Sequence, residues 1–322
     1  MIKKISNLIN FSYVLFIVFV ILIFSNSLFN AAEATPTFVD KFSFSSQENN
    51  PSGLAFNNDG TKMFIVGFAG DDVNEFALSS GFDVSTASYT RNFSVISQDS
   101  VPMGIAFNND GTKMFILGFL GNDVNEYDLS TGFDVSTASY SQNFGVGNQE
   151  TSPSGLVFNN DGTKMFIVGY NGDEVNEYAL SSGFDVSTAS YTRNFSVSNK
   201  ETDPRDLAFN NDGTKMFITG FNGDIHEYAL STGFNVSTAS YVGNISVDAQ
   251  EDFPWGLAFN NDGTKMFIAG AEFRAVHEYT LSSAYYLGLD STAPTLSSST
   301  PTDNATDVAV DSNIVLNFSE SV

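Results

Sequence analysis

The sequence has no cysteine. Disulfides, thiol catalysis, thiolate metal sites and a lipid-modified N-terminal cysteine are therefore excluded, and stability must come from packing and sheet hydrogen bonds. Basic residues are scarce, 13 Lys and Arg against 37 Asp and Glu, for a net charge of −24. Such a surface repels nucleic acid and anionic lipid, so neither is expected as a partner. Its plain role is solvation. A G-x-S-x-G nucleophile elbow and a D-x-D-x-D-G calcium loop are both missing. So is the 3.6-residue apolar spacing of a helix within the repeated units.

What is present is aromatic. The 322 residues include 32 Phe and 12 Tyr beside a single Trp, with 26 Gly, and 42% are hydrophobic. Aromatic and β-branched residues interleaved with Gly, Asn, Asp and Ser predict strands joined by tight turns. At the N-terminus Lys3 and Lys4 precede an unbroken apolar run, Val14 to Phe24, and then Ala32-Glu33-Ala34. This is the pattern of an export signal at 1–34, cleaved after Ala34. The apolar stretch from Phe11 to Phe29 approaches spanning length, so an uncleaved anchor is the competing reading. Removing Lys3, Lys4 and Glu33 would leave 11 basic and 36 acidic residues, a net charge of −25. The expected location is extracellular or cell-surface, with the periplasm as an alternative and no membrane partner after cleavage.

The string FNNDGTKMF occurs five times, starting at Phe56, Phe107, Phe158, Phe209 and Phe259. A period near 50 residues with several short strands per unit is the signature of propeller blades. Within a unit, strand a ends at Phe56 and Asn57-Asn58-Asp59-Gly60 turns the chain. Strand b follows from Lys62 to Val66, c from Val73 to Leu78 and d from Ser88 to Val95. The fifth unit has no strand d, and Ala284-Tyr285-Tyr286-Leu287-Gly288 stands in its place, while a matching segment, Thr37 to Phe44, precedes the first unit. The expected fold is an all-β, five-bladed propeller of four-stranded blades, with 37–44 closing the ring beside 272–281.

Expected boundaries are a propeller at 35–283, with repeats near 51–95, 102–146, 153–197, 204–247 and 254–281, a linker at 284–291, and a further domain at 292–322. The units, read as P-x-G-[LI]-[AV]-F-N-N-D-G-T-K-M-F and carried by Pro51, Gly53, Asp59, Gly60 and their equivalents, resemble the repeats of YVTN/lactonase-like bacterial propellers. That resemblance implies a strand a lining the central channel and implies no reaction. The tail, Ser299-Thr300-Pro301-Thr302-Asp303-Asn304 to Ile314-Val315-Leu316-Asn317-Phe318, resembles the start of an S-layer-type bacterial Ig-like domain, truncated at Val322. Such domains act as spacers in surface proteins.

Positions constant among the repeats are expected to serve folding. The turn aspartates 59, 110, 161, 212 and 262 are read as turn formers, and Lys62, Lys113, Lys164, Lys215 and Lys265 are expected beside them. Glu75 and its four equivalents recur too regularly for one catalytic pair. Departures from the repeat are the candidate site. Units four and five carry Arg205-Asp206 and Trp255, and the fifth b–c turn reads Ala271-Glu272-Phe273-Arg274. An irregular closing blade explains these equally. The d–a loops, which differ in every unit, are expected to form a binding mouth with the b–c turns.

An aromatic follows the strand-b glycine in four units, Phe68, Phe119, Tyr170 and Phe221. These rings suit stacking on sugar or filling the gaps between blades. The acidic turns at Asp71-Asp72, Asn122-Asp123, Asp173-Glu174 and Asp224 supply only two or three oxygens each, where Ca²⁺ takes about six to eight. No cofactor is expected, with Ca²⁺ at these acidic turns kept as the alternative. His226 and His277 replace the strand-c Asn of other units, lie on neighbouring blades and lack a third zinc ligand, so no catalytic residue is assigned. The function expected is that of a ligand- or partner-binding display module, for carbohydrate or a surface protein, in an oligomeric state left open. The alternative is an extracellular hydrolase, lactonase-like or glycan-cleaving, built on Asp206, Glu272 and Arg274.

Overall fold

The computed structural model describes residues 35–289, 296–301 and 315–318. The expected export signal lies outside them, as does most of the tail. Two compact units are present, one ending at Leu289 and one beginning at Asp290.

Strand β1 (Thr37–Ser43) is followed by blade one, β2 (Pro51–Phe56), β3 (Lys62–Gly67), β4 (Asp72–Leu78) and β5 (Ala87–Ser94). Blade two holds β6 (Pro102–Phe107), β7 (Lys113–Gly118), β8 (Asp123–Leu129) and β9 (Ala138–Gly145). Blade three holds β10 (Pro153–Phe158), β11 (Lys164–Gly169), β12 (Glu174–Leu180) and β13 (Ala189–Ser196). Blade four holds β14 (Pro204–Phe209), β15 (Lys215–Gly220), β16 (Asp224–Leu230) and β17 (Ala239–Ser246). Blade five has β18 (Pro254–Phe259), β19 (Lys265–Gly270) and β20 (Ala275–Thr280), and β1 is its fourth strand. The antiparallel closure pairs Thr37 with Thr280 and Ser43 with Ala275. This five-bladed ring is the expected fold. In the second unit β21 (Leu296–Thr300) pairs with β22 (Val315–Phe318).

The repeated turn is fixed by its own side chains. The Asn57 amide oxygen accepts from the Lys62 amide at 2.8 Å, and Asp59 Oδ1 accepts from the Thr61 amide at 3.0 Å and hydroxyl at 2.5 Å. Those Thr61 bonds hold the Asp59 carboxyl below its usual range, and Asp110, Asp161, Asp212 and Asp262 are lowered the same way. Gly60 sits at φ +70°, where a Cβ would lie 2.3 Å from the Phe82 ring. Across successive turns, the Asn58 amide donates to the Asn109 carbonyl, Asn109 to Asn160, Asn160 to Asn211, Asn211 to Asn261, and Asn261 back to Asn58. The result is a closed ring of five side-chain hydrogen bonds around one end of the axis.

The aromatic content fills the seams between blades. In each seam a strand-b ring packs on the strand-a ring of the next blade, with centroids 4.6–4.8 Å apart: Phe64 on Phe107, Phe115 on Phe158, Phe166 on Phe209, Phe217 on Phe259 and Phe267 on Phe56. A third ring from the segment after strand c completes each group, Phe133, Phe184, Phe234, Tyr285 and Phe82 respectively. These five share a positive φ of 54–57°.

Two expectations are corrected. The strand-b lysines do not pair with the turn aspartates. The antiparallel b–c register instead brings Lys62 to Glu75 at 2.9 Å, Lys164 to Glu177 at 2.9 Å and Lys265 to Glu278 at 2.7 Å, with Lys113–Glu126 and Lys215–Glu227 alike. Both partners also cross the seam. Lys265 Nζ donates to the Phe82 carbonyl at 2.7 Å, and Glu278 Oε2 accepts from the Val84 amide at 3.1 Å. Secondly, the first part of the expected linker at 284–291 belongs to the ring. Tyr285 takes the place of Phe82 and its ring faces Gly263, while Leu287 is fully buried in the same core.

Candidate functional site

Arg205 and Trp255 are the second residues of β14 and β18, at the end of the axis opposite the asparagine ring. The guanidinium carbon of Arg205 lies 4.1 Å from the Trp255 ring centroid, 4.8 Å from Tyr170 and 4.9 Å from Phe221. Its Nη2 donates to Asp203 at 2.6 Å. The set extends through ring contacts, Trp255 to Phe68 at 6.2 Å and Tyr170 stacked on Phe119 at 6.0 Å. Phe253 joins it against Phe221 at 4.9 Å. Six of the singled-out residues, Arg205, Trp255, Phe68, Phe119, Tyr170 and Phe221, thus form one connected cluster.

Each aromatic after strand b is positioned by its backbone. The Phe68 amide donates to the Asn50 carbonyl at 3.1 Å, Phe119 to Val101 at 3.0 Å, Tyr170 to Ser152 at 3.2 Å and Phe221 to Asp203 at 3.2 Å. The strand-b end is thereby tied to the d–a loop in every blade, and in blade five Ala271 makes the same bond to Phe253. Arg205 is almost buried, whereas Phe221 and, packed on it, Phe253 are exposed. A desolvated cation gains most from ring quadrupoles, about 2 kcal/mol in favourable settings. Burial raises the Tyr170 hydroxyl above its usual pKa.

The remaining candidates sit elsewhere. Glu272 and Phe273 donate their backbone amides to the buried Glu251 carboxylate, at 3.0 and 3.3 Å. Phe273 is 46% exposed, with Lys41 Nζ 5.1 Å from its ring. Arg274 takes a φ of 49°, the role of Asp71 in blade one, and its Nε donates to the Asn49 carbonyl at 3.3 Å. These three decorate the outer turn of blade five.

Asp206 points into the axis. It lines a cavity of about 270 Å³ walled by one Leu or Ile per blade, Leu54, Ile105, Leu156, Leu207 and Leu257, and reaching Asn211 and Asn261 of the asparagine ring. Its Oδ1 accepts from the Leu207 amide and its Oδ2 from the Leu257 amide of the next blade, both at 2.8 Å. Its own amide donates to Thr219 Oγ1 at 2.8 Å. Burial outweighs those two bonds and pushes the carboxyl up to about 8. A Cβ on Gly155 would lie 2.7 Å from Asp206 Oδ1, so the neighbouring strand must carry glycine there.

Sequence reasoning missed a constant acid inside the loops it read as variable. Glu48, Asp99, Glu150, Glu201 and Glu251 occupy one position in the five d–a loops and are all buried. Each carboxylate ties its loop down. Asp99, for example, accepts from the Val101 amide at 2.7 Å and the Gly121 amide at 2.7 Å. Spacing the loops by the 51-residue period exposes the pattern. In the acidic turns, Asp72 and Asp123 are occupied by asparagine amides from strands c and d. Among the described residues no three His, Asp or Glu converge as metal ligands. His226 faces Glu201 at 3.4 Å and His277 faces Glu251 at 3.6 Å, in separate blades.

Comparison with known proteins gives one family match. The bacterial Ig-like domain family matches residues 290–322. No curated protein matches the chain. Among solved structures, a luciferin-regenerating enzyme aligns over 79% of this chain and 99% of its own, at 11% identity and a TM-score of 0.48. A protein of unknown function from Desulfotomaculum acetoxidans aligns over 78% of this chain and 93% of its own, at 14% identity and 0.48. A protein described as a 6-phosphogluconolactonase, from Bacteroides uniformis, aligns over 68% and 64% at 15% identity and 0.43. Likenesses this distant carry no argument about chemistry.

Proposed function

We infer that the chain is an exported bacterial surface protein whose propeller is a non-catalytic binding module, displayed beside an Ig-like domain. The observation that carries this reading is the cluster in which one buried arginine is enclosed by Trp255, Tyr170 and Phe221. Trp, Tyr and Arg are the residue types that dominate binding hot spots, and the exposed Phe221 and Phe253 beside them supply faces for a sugar ring or an apolar side chain. The Ig-like match at 290–322 supports a surface setting. The described residues include no helix long and apolar enough to cross a membrane.

The hydrolase reading has less support. It needs Asp206, Glu272 and Arg274 to converge, and only Asp206 lines the axial cavity. The test is binding of the full chain to a glycan array and to bacterial and host cell surfaces. Phe221→Ala together with Phe253→Ala should weaken the binding at least tenfold without unfolding the ring. Binding to neither surface, or binding indifferent to that pair, would overturn the assignment.

A further inference from the structure

The axial cavity is separate from the aromatic face, and its one carboxyl is not explained by folding. Blades one, two, three and five carry Gly53, Gly104, Gly155 and Gly256 where blade four has Asp206. Four blades therefore build the same inner strand without the carboxyl. Burying a carboxyl in an apolar wall costs free energy unless something is gained. A second departure accompanies the first. The strand-b position that is Val66, Leu117, Val168 and Ala269 elsewhere is Thr219 in blade four, and its hydroxyl accepts from the Asp206 amide. The adjoining Gly155 leaves the space that Asp206 fills. Thr219 of blade four and Gly155 of blade three thus seat one acid on the axis.

The seat leaves the acid half used. A carboxylate has about four lone-pair directions, and the Leu207 and Leu257 amides take one on each oxygen. Among the described residues Asp206 is the only carboxyl lining the cavity, and no cationic side chain lines it. From Asp206 to the end of β14 at Phe209 is three residues of extended strand, about 10 Å at about 3.3 Å per residue, and the exposed Asn211 of the turn that follows lies at the rim. The walls are Leu, Ile, Ala and Val, with Phe209, Phe259, Tyr285 and Asn260. A chamber that combines aliphatic side chains with one carboxyl in its wall complements a small ligand that combines alkyl carbons with one positive end. The net charge of −24 would concentrate such cations at the rim.

We propose that the axial cavity binds a small organic cation, a primary ammonium on a short unbranched alkyl chain, with the ammonium on the Asp206 carboxylate. The alkyl chain lies along the Leu and Ile ring, and the asparagine collar is its entrance. Binding draws the proton off Asp206, since the empty chamber favours the neutral acid and the ammonium favours the anion.

The probe is n-hexylammonium, titrated into the full chain by calorimetry, with 1-hexanol as the neutral isostere. The control variant is Asp206→Gly, which restores the residue the other four blades use. At pH 8.5 the cation should bind the parent at least tenfold more tightly than Asp206→Gly, while 1-hexanol distinguishes the two by less than about threefold. For the parent, the cation's affinity should rise roughly tenfold per unit from pH 6 to pH 8 as the carboxyl ionises. Equal binding to parent and variant, equal binding of hexanol and hexylammonium, or no binding to the parent at pH 8.5 would each overturn the proposal. Should the variant fail to fold, the pH series on the parent decides, and an affinity flat between pH 6 and 8 refutes it.

Discussion

The buried carboxyl of Asp206 should make the stability of the propeller fall as pH rises, opposite to the trend of most acidic groups. Its folded pKa is raised to about 8, against an ordinary value of 3.8. Between those two values the folded state holds a proton that the unfolded chain has lost, so unfolding becomes easier with each step up in pH. The stabilisation is complete below about pH 4 and is lost as pH rises through about 8. Each unit is about 1.4 kcal/mol, which over the span of roughly four units gives an upper magnitude near 6 kcal/mol. The balance behind this is local. The Leu207 and Leu257 amides favour the anion, but removing the group from water disfavours it more. Urea unfolding of the parent and of Asp206→Gly, compared at half-unit steps from pH 5 to 9, cancels the background of the other 36 acids. The parent should lose about 1.4 kcal/mol per pH unit relative to the variant up to pH 7.5, then level off above about 8. A difference that stays flat with pH would mean the two amides already hold the anion, and the reasoning would fail.

Two further substitutions test the ring itself. Gly60→Ala places a Cβ 2.3 Å from the Phe82 ring at a φ of +70°, and should cost about 3 kcal/mol in urea unfolding, from the left-handed backbone plus overpacking. A cost below about 1 kcal/mol would show that the turn relaxes freely. Lys265→Met removes both the partner of the buried Glu278 and the bond to the Phe82 carbonyl across the closing seam. A stranded buried charge costs about 3–5 kcal/mol, and because Lys265 is 29% exposed a loss of about 2 kcal/mol is expected. Glu278→Gln in that background should restore part of the loss, measured by the same unfolding assay.

The blade architecture was legible because its signals are local and repeated. FNNDGTKMF encodes its own turn through Asn57, Asp59 and Gly60, and the displaced strand at 37–44 identified the closure. What escaped were the consequences of placing blades side by side. Lys62 is close in sequence to Asp59, yet the b–c register carries it to Glu75, a partner 13 residues on. Tyr285 lies in the segment that stands where the fifth unit lacks a strand d, which conceals that its ring takes the place of Phe82 over a glycine at positive φ. The aromatic cluster was half legible. Phe68, Phe119, Tyr170 and Phe221 could be aligned by period, but that Arg205 would lie among them depends on the curvature of the ring. Asp206 was visible as a departure, and its direction was not, since adjacent strand residues point to opposite sides.

That alternation ties the two candidate sites together. Arg205 and Asp206 are neighbours on β14, yet Arg205 lies among the rings of the aromatic face and pairs with Asp203, while Asp206 lies on the cavity wall and is held by Leu257 of the next blade. The dipeptide at the same place in blades one and three, Ser52-Gly53 and Ser154-Gly155, shows what the strand carries when neither site is built. There the serine hydroxyl closes the seam by donating to Pro102 or Pro204, at 2.6 and 2.8 Å. Blade four gives up that bond and accepts a buried ionisable group on each side of one strand. A structural repeat under selection for folding alone has no reason to do so, because all four other blades supply a working glycine and two a working serine. The substitutions are costly where they stand, and their cost is the strongest argument that the axis of this propeller is used for binding.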